Sequence, residues 1–413
     1  TLDKNTTCNA DFQAAGVYVG ATNTSYDLYN NGTSYFNGAV IVDDNLTVNG
    51  TINSVGISYN ISNFSESMLI SNDAGTGTLS TASNNTGFGH EVFDDLTSGD
   101  NNTAMGHEAG DALTSGSLNT FIGSNAGGAA QTVNDNTAIG AYAFDAGTGA
   151  TNTAVGSGAL GGASNSAANN VAIGKDAGNA ISTGDQNTIV GTIAGDAITT
   201  GLRNQLFGYG AGGALIDADY NVAIGAFALG GDTYGSKSTA IGNDALGSQN
   251  FSSATDSHNT AIGFDAGQNV TTGQFNTFMG SLAGDATTDA DDNVAVGYGA
   301  LTTNILGSKT VAIGTGALAT QDYDSATDSF NTAVGQAAGN NVSTGRYNSI
   351  IGALAGDALN SGNGHAVLGY SALTTETSGA NCVAIGTHAL NTQNVGGDTN
   401  VGNTAVGYTA AYA

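Results

Sequence analysis

Short apolar stretches return along most of this chain at a fixed spacing. A five-residue core, approximately N-T/V-A-I/V-G, starts at residues 85, 102, 119, 136, 152, 170, 187, 204, 221, 238, 259, 276, 293, 310, 331, 348, 365, 382 and 403. Most steps are 17 residues, but 238 to 259, 310 to 331 and 382 to 403 are steps of 21 that recur every 72 residues. Lys237 and Lys309 are also 72 apart, so a unit of four repeats has itself been duplicated.

Side chains alternate across a strand, which puts the second and fourth positions on one face and the third on the other. The fourth position is apolar in all nineteen repeats, the fifth is Gly in all, and the eighth is Ala except at Val92. One short apolar stretch cannot bury itself, whereas stacked copies bury a continuous column. The pattern therefore predicts an all-β protein, a parallel β-solenoid or β-roll of about 19 coils over residues 85–413. Its expected repeat core is Ile262 and Gly263, Met279 and Gly280, Val296 and Gly297, Ile313 and Gly314, Val334 and Gly335, and Ile351 and Gly352. Invariant Gly marks a corner where the backbone bends or another backbone comes close. Both strand faces are apolar or small, so one faces the coil interior and the other a neighbouring chain. The Asn that opens most repeats is expected to stack as an amide ladder, over a length of about 90 Å at about 4.8 Å per coil.

Residues 1–64 differ: "GVYVG" (16–20), "SYFNGAVIVDDNLTVNGTI" (34–52) and "VGISYNIS" (55–62) alternate, are aromatic and β-branched, and contain Asn-Gly turns. They predict a small β attachment or polymerisation region, joined by a Gly/Ser/Thr-rich connector at 65–84. Glycosylation sequons fall at Asn5, Asn23, Asn31, Asn45, Asn49, Asn60 and Asn63. In a chain this rich in Asn, Ser and Thr, chance alone generates such triplets.

The net charge of −28, with six Lys and Arg among 413 residues, repels phosphate and argues against nucleic acid as a partner. No apolar run is long enough for a membrane helix, so no membrane insertion is expected. Cys8 and Cys382 are too few for a disulfide framework or a cysteine zinc site. The start at Thr1 suggests a processed product. No catalytic motif is found, and the periodic glycines are corners rather than phosphate cradles; the chain is expected not to be an enzyme. His90 and His107 are 17 apart, each followed by Glu. Stacking would bring imidazoles and carboxylates together, but a solvated edge is the preferred reading and no metal is assigned. "DADDN" (289–293) and "DYDSATDS" (322–329) offer carboxylates to Ca²⁺, with solvated loops again preferred and no cofactor expected. The expanded loops 247–259 and 320–331 bulge at the same coil position. Insertions of this kind gather on one face, which makes Phe251, Asp256, His258, Tyr323, Asp328 and Phe330 the candidate receptor-binding residues.

Repeats of the form N-T-A-I-G-x-x-A resemble the head domains of trimeric autotransporter adhesins. The longer form, as in "AGDALTSGSLNTFIGSNAG" (109–127), is similar to repeats of phage tail-fibre and tailspike proteins. The resemblance covers about residues 84–413. It implies a homotrimer or filament, an extracellular place on a virion or cell surface, and a host-cell receptor or glycan as partner. A tail fibre is the first expectation, an adhesin head or filament subunit the second, and a glycan-degrading tailspike a weaker third. Related fibres often lose a C-terminal chaperone by self-cleavage, and the chain ends inside a repeat.

Overall fold

The computed structural model describes residues 56–61, 64–71, 79–162, 165–397 and 399–411. Cys8 and the sequons at Asn5, Asn23, Asn31, Asn45, Asn49 and Asn63 lie outside them; Asn60 falls within a strand. Among the described residues there is no helix.

Strand β1 (Gly56–Ile61) pairs antiparallel with β2 (Phe64–Ser71). A short β3 (Ala82–Ser83) and then β4 (Thr86–Phe88) pair parallel with β2. Part of the stretch expected to be a connector is therefore strand: Met68, Leu69 and Ile70 register with Thr86, Gly87 and Phe88 of the first coil. From β4 to Thr404–Val406, nineteen three-residue strands follow, each parallel to the next. Repeats align position for position: Thr260 with Thr277, Ala261 with Phe278, Ile262 with Met279. Together they form one 22-stranded sheet, and the described repeats build a β-solenoid with one coil per repeat.

Each coil turns through four corners with positive φ. In the coil that opens at Asn259 these are His258 (51°), Gly263 (145°), Asp265 (53°) and Gly267 (58°). The second corner is glycine in every coil, because the backbone of the next coil leaves no room for a Cβ. A Cβ on Gly263 would stand 2.6 Å from the backbone of Gly280 in the next coil, and the same clash recurs up the column.

The interior is not where the fourth-position pattern put it. A three-residue strand turns one side chain inward, and that is its middle one, the third repeat position: Ala261, Phe278, Ala295, Ala312, Ala333 and Ile350 are fully buried. Met279, Ile313 and Ile351 of the expected core are 44%, 37% and 43% exposed, and Ile262, Val296 and Val334 are half-buried. The eighth-position alanines join the interior, as do the larger ninth-position residues such as Phe144, Leu301 and Leu318. Interior volume is balanced between the third and ninth positions. Phe121 is flanked by Gly110 and Gly127, and Phe278 by Gly267 and Gly284. A Cβ on any of these four glycines would come within 2.5–2.9 Å of the ring.

The expected amide ladder forms, and its bonds are specific. Asn276 accepts the amide N–H of Asn293 on Oδ1 (3.0 Å) and donates from Nδ2 to the Ala290 carbonyl (2.8 Å), while its own amide donates to Asn259 Oδ1 (2.9 Å). Each Asn thus ties two coils and closes its own, satisfying groups that burial would otherwise orphan. At residue 365 a histidine takes the place. Its amide donates to Asn348 Oδ1, Nε2 donates to the Gly379 carbonyl (2.6 Å), and Nδ1 accepts the Cys382 amide (3.3 Å). Burial lowers the pKa of His365 below its ordinary value.

Ser238, Thr310 and Cys382 break the ladder at the three 21-residue coils, and a glutamine from each expanded loop repairs it. Gln249, Gln321 and Gln393 are 72 residues apart. Their Oε1 atoms accept from Nδ2 of Asn259, Asn331 and Asn403 at 2.9, 2.9 and 2.8 Å. Their Nε2 groups donate to Asp232, Asn304 and Glu376 at 2.6, 3.1 and 3.0 Å. The 72-residue period is thus a structural period. Cys382 is a buried free thiol within this arrangement.

Candidate recognition surface

Two outward columns of different character run along the coils. The first is the fourth repeat position, apolar in every coil. Phe88, Met105, Met279, Ile351, Leu368 and Val406 are among its most exposed members. Tyr209, Phe264, Tyr298, Tyr370 and Tyr408, two residues further on in their repeats, are exposed beside it. Monomeric proteins rarely expose so extended an apolar surface without a partner for it.

The second column is the residue before each repeat, the left-handed corner. Over nine successive coils it reads Arg203, Tyr220, Lys237, His258, Phe275, Asp292, Lys309, Phe330 and Tyr347, all exposed. Because the coils are in register, these side chains meet their neighbours one coil away. His258 stacks on Phe275 (5.5 Å between ring centres, 14° between planes), and Phe330 stacks on Tyr347 (5.8 Å, 12°). Arg203 lies over Tyr220 at 5.4 Å, Lys309 over Phe330 at 5.3 Å, and Arg346 over Tyr347 at 5.7 Å. Four of the six Lys and Arg of the chain thus sit on or beside one column, interleaved with aromatic rings.

The candidate receptor-binding residues divide. His258 and Phe330 belong to this ridge. Asp256 and Asp328 lie beside it, paired with Lys237 and, at 2.5 Å, with Lys309. Phe251 and Tyr323 do not face outward: they are 4% and 7% exposed and fill the inside of their expanded loops. Phe251 packs at Gly235, and Tyr323 donates from its hydroxyl to the Gly345 carbonyl (2.8 Å), with burial pushing its phenol up to about 12. An enlarged coil has a larger interior, and an aromatic ring fills it better than it serves a solvated tip. The aromatics that sequence reasoning missed, Tyr220, Phe275 and Tyr347, had a usable signal in their constant offset from the repeat start.

The acidic clusters hold coils together. Asp291 Oδ1 accepts the Gln274 amide (2.7 Å), and Asp289 accepts the Thr272 hydroxyl. Comparison with protein-family models and with curated proteins finds no match to this chain.

Proposed function

We propose that this chain is a non-enzymatic structural fibre protein that recognises an acidic glycan on a target surface, working as a homotrimer on the outside of a virion. The observation that carries the recognition is the ridge from Arg203 to Tyr347, which gathers most of the cations of a strongly acidic molecule between exposed aromatic rings. Aromatic faces stack on sugar rings, and Arg203 and Arg346, which unlike Lys237 and Lys309 have no carboxylate partner among the described residues, can pair with carboxylate or sulfate groups. In-register coils repeat these groups about every 4.8 Å, a comb on which a linear polysaccharide can lie along the stack. The continuous apolar column supports association with further copies of the chain, and the virion setting rests on the resemblance of the repeats to tail-fibre repeats.

Binding of the full chain to immobilised acidic polysaccharides tests this reading. Saturable, salt-sensitive binding is expected, with the polymer left at its original length. Replacing Arg346 and Tyr347 together by Ala should lower affinity about tenfold or more, whereas Leu118→Ala, in the same column outside the ridge, should leave it unchanged. Binding that is absent, or that both variants retain equally, would overturn the assignment.

A further inference from the structure

The first two coils carry a second feature, independent of the ridge. His90 and His107 occupy the sixth position of successive repeats, and register makes their rings parallel, 5.1 Å apart with 5° between planes. The next residue in each repeat, Glu91 or Glu108, sits at a left-handed corner with φ of 52° or 55°. That corner folds each carboxylate back beside its own imidazole: His90 Nδ1 to Glu91 Oε2 is 3.4 Å, and His107 Nδ1 to Glu108 Oε2 is 3.5 Å. His90 Nδ1 is a buried atom without a hydrogen bond. One ligand atom from each of His90, Glu91 and His107 lies within 4.8 Å of the others. Glu108 Oε2 also accepts from the Nδ2 of Asn125, one coil further on, at 2.5 Å, which holds that carboxylate in place.

We propose that His90, His107 and Glu91 bind a divalent transition metal of the zinc class, with Glu108 orienting His107 or completing the set. Two imidazoles and a carboxylate are the donor types that zinc, cobalt and nickel prefer. Tetrahedral bonds of about 2.0–2.1 Å place two ligand atoms about 3.3 Å apart, so half-exposed side chains need only modest rotation to close on one ion. The ion would cross-link the first coil to the second, where the stack begins. A solenoid is held by interfaces between neighbouring coils, so fastening the first of them resists fraying from that end.

The test uses the full chain, stripped with a chelator and titrated with Zn²⁺ and Co²⁺. One ion per chain is expected, with the visible absorption of low-symmetry Co²⁺ and a rise in protease resistance around residues 85–125 on adding Zn²⁺. His107→Ala should weaken binding about tenfold or more, and His258→Ala, remote from the pair, should not. Glu91→Gln provides a second variant that leaves the imidazole stack in place and should reduce the Co²⁺ absorption. No saturable binding by the wild-type chain, or equal binding by wild type, His107→Ala and Glu91→Gln, would overturn the proposal.

Discussion

At the residue scale, the constraint on each position is set by what the next coil places against it. Gly263 has the backbone of Gly280 within 2.6 Å of where a Cβ would be. Gly263→Val should therefore cost about 2–5 kcal/mol through overpacking and dihedral strain. Asp265 is two residues away, its pKa raised by burial and by the charges of Asp244 and Asp285. Its ionised form is thus disfavoured on folding, so Asp265→Asn should leave the denaturation midpoint unchanged or raise it. Equal losses in the two variants would contradict the corner assignment. A sharper pair separates crowding from backbone strain. Gly284 and Gly299 have φ of 59° and 58°, but a Cβ would meet the Phe278 ring at 2.5 Å in the first and nothing within 4 Å in the second. Gly284→Ala should cost about 1–3 kcal/mol more than Gly299→Ala, measured by chemical denaturation.

The period of the fold was legible at this scale, but the inward face was not. Alternation with a period of two assigns neighbours to opposite faces without saying which is inside, and Ile at the fourth position looked like the better core residue. The distinguishing signal was compensation: bulk at Phe121 or Phe278 coincides with glycine six residues on, and the fourth position shows no such partner.

At the scale of the coil, the amide ladder is the element that fixes register. Its breaks show that the expanded loops are part of it. Gln321 bridges Asn304, Thr310 and Asn331 although it belongs to an insertion. Gln321→Ala should therefore destabilise by about 1–3 kcal/mol, as the loss of a buried hydrogen-bond partner does. An effect below half a kcal/mol, the usual size for a surface change, would show that the loop is dispensable. The loops were legible as insertions, but their glutamines were not recognised as repeat residues because each lies outside the five-residue core. His365 gives the ladder a pH dependence. With its pKa lowered by burial, the folded state binds fewer protons than the unfolded chain, so this rung contributes stability near neutral pH and loses it as pH falls through the ordinary histidine value of about 6.5. Protonation also removes the acceptor for the Cys382 amide. His365→Asn should weaken the acid sensitivity of thermal unfolding between about pH 7 and pH 5.5; an identical pH profile would exclude this rung as a cause.

At the scale of the whole molecule, the outward apolar column is the feature that calls for a partner. The same property that misled the core assignment, an apolar residue at the fourth position of every repeat, is its strongest sign of a partner. Nineteen in-register coils align these residues into one uninterrupted surface. Three copies arranged about a common axis can each cover it, and closed symmetry limits the assembly to a discrete size. The sequence supplied the repeat, the ladder, this apolar pattern and the 17-residue spacing of the two histidines, while the ridge emerged only when register placed residues 17 to 21 apart side by side. The most direct measurement is the mass of the intact assembly by light scattering after size-exclusion chromatography, for the wild-type chain and for a variant carrying Ile313→Glu and Ile351→Glu. A particle of about three chains is expected for the wild type, and single chains with an unchanged β-sheet circular dichroism spectrum for the variant. A wild-type chain that elutes as a monomer, or an assembly that the two glutamates leave intact, would contradict it.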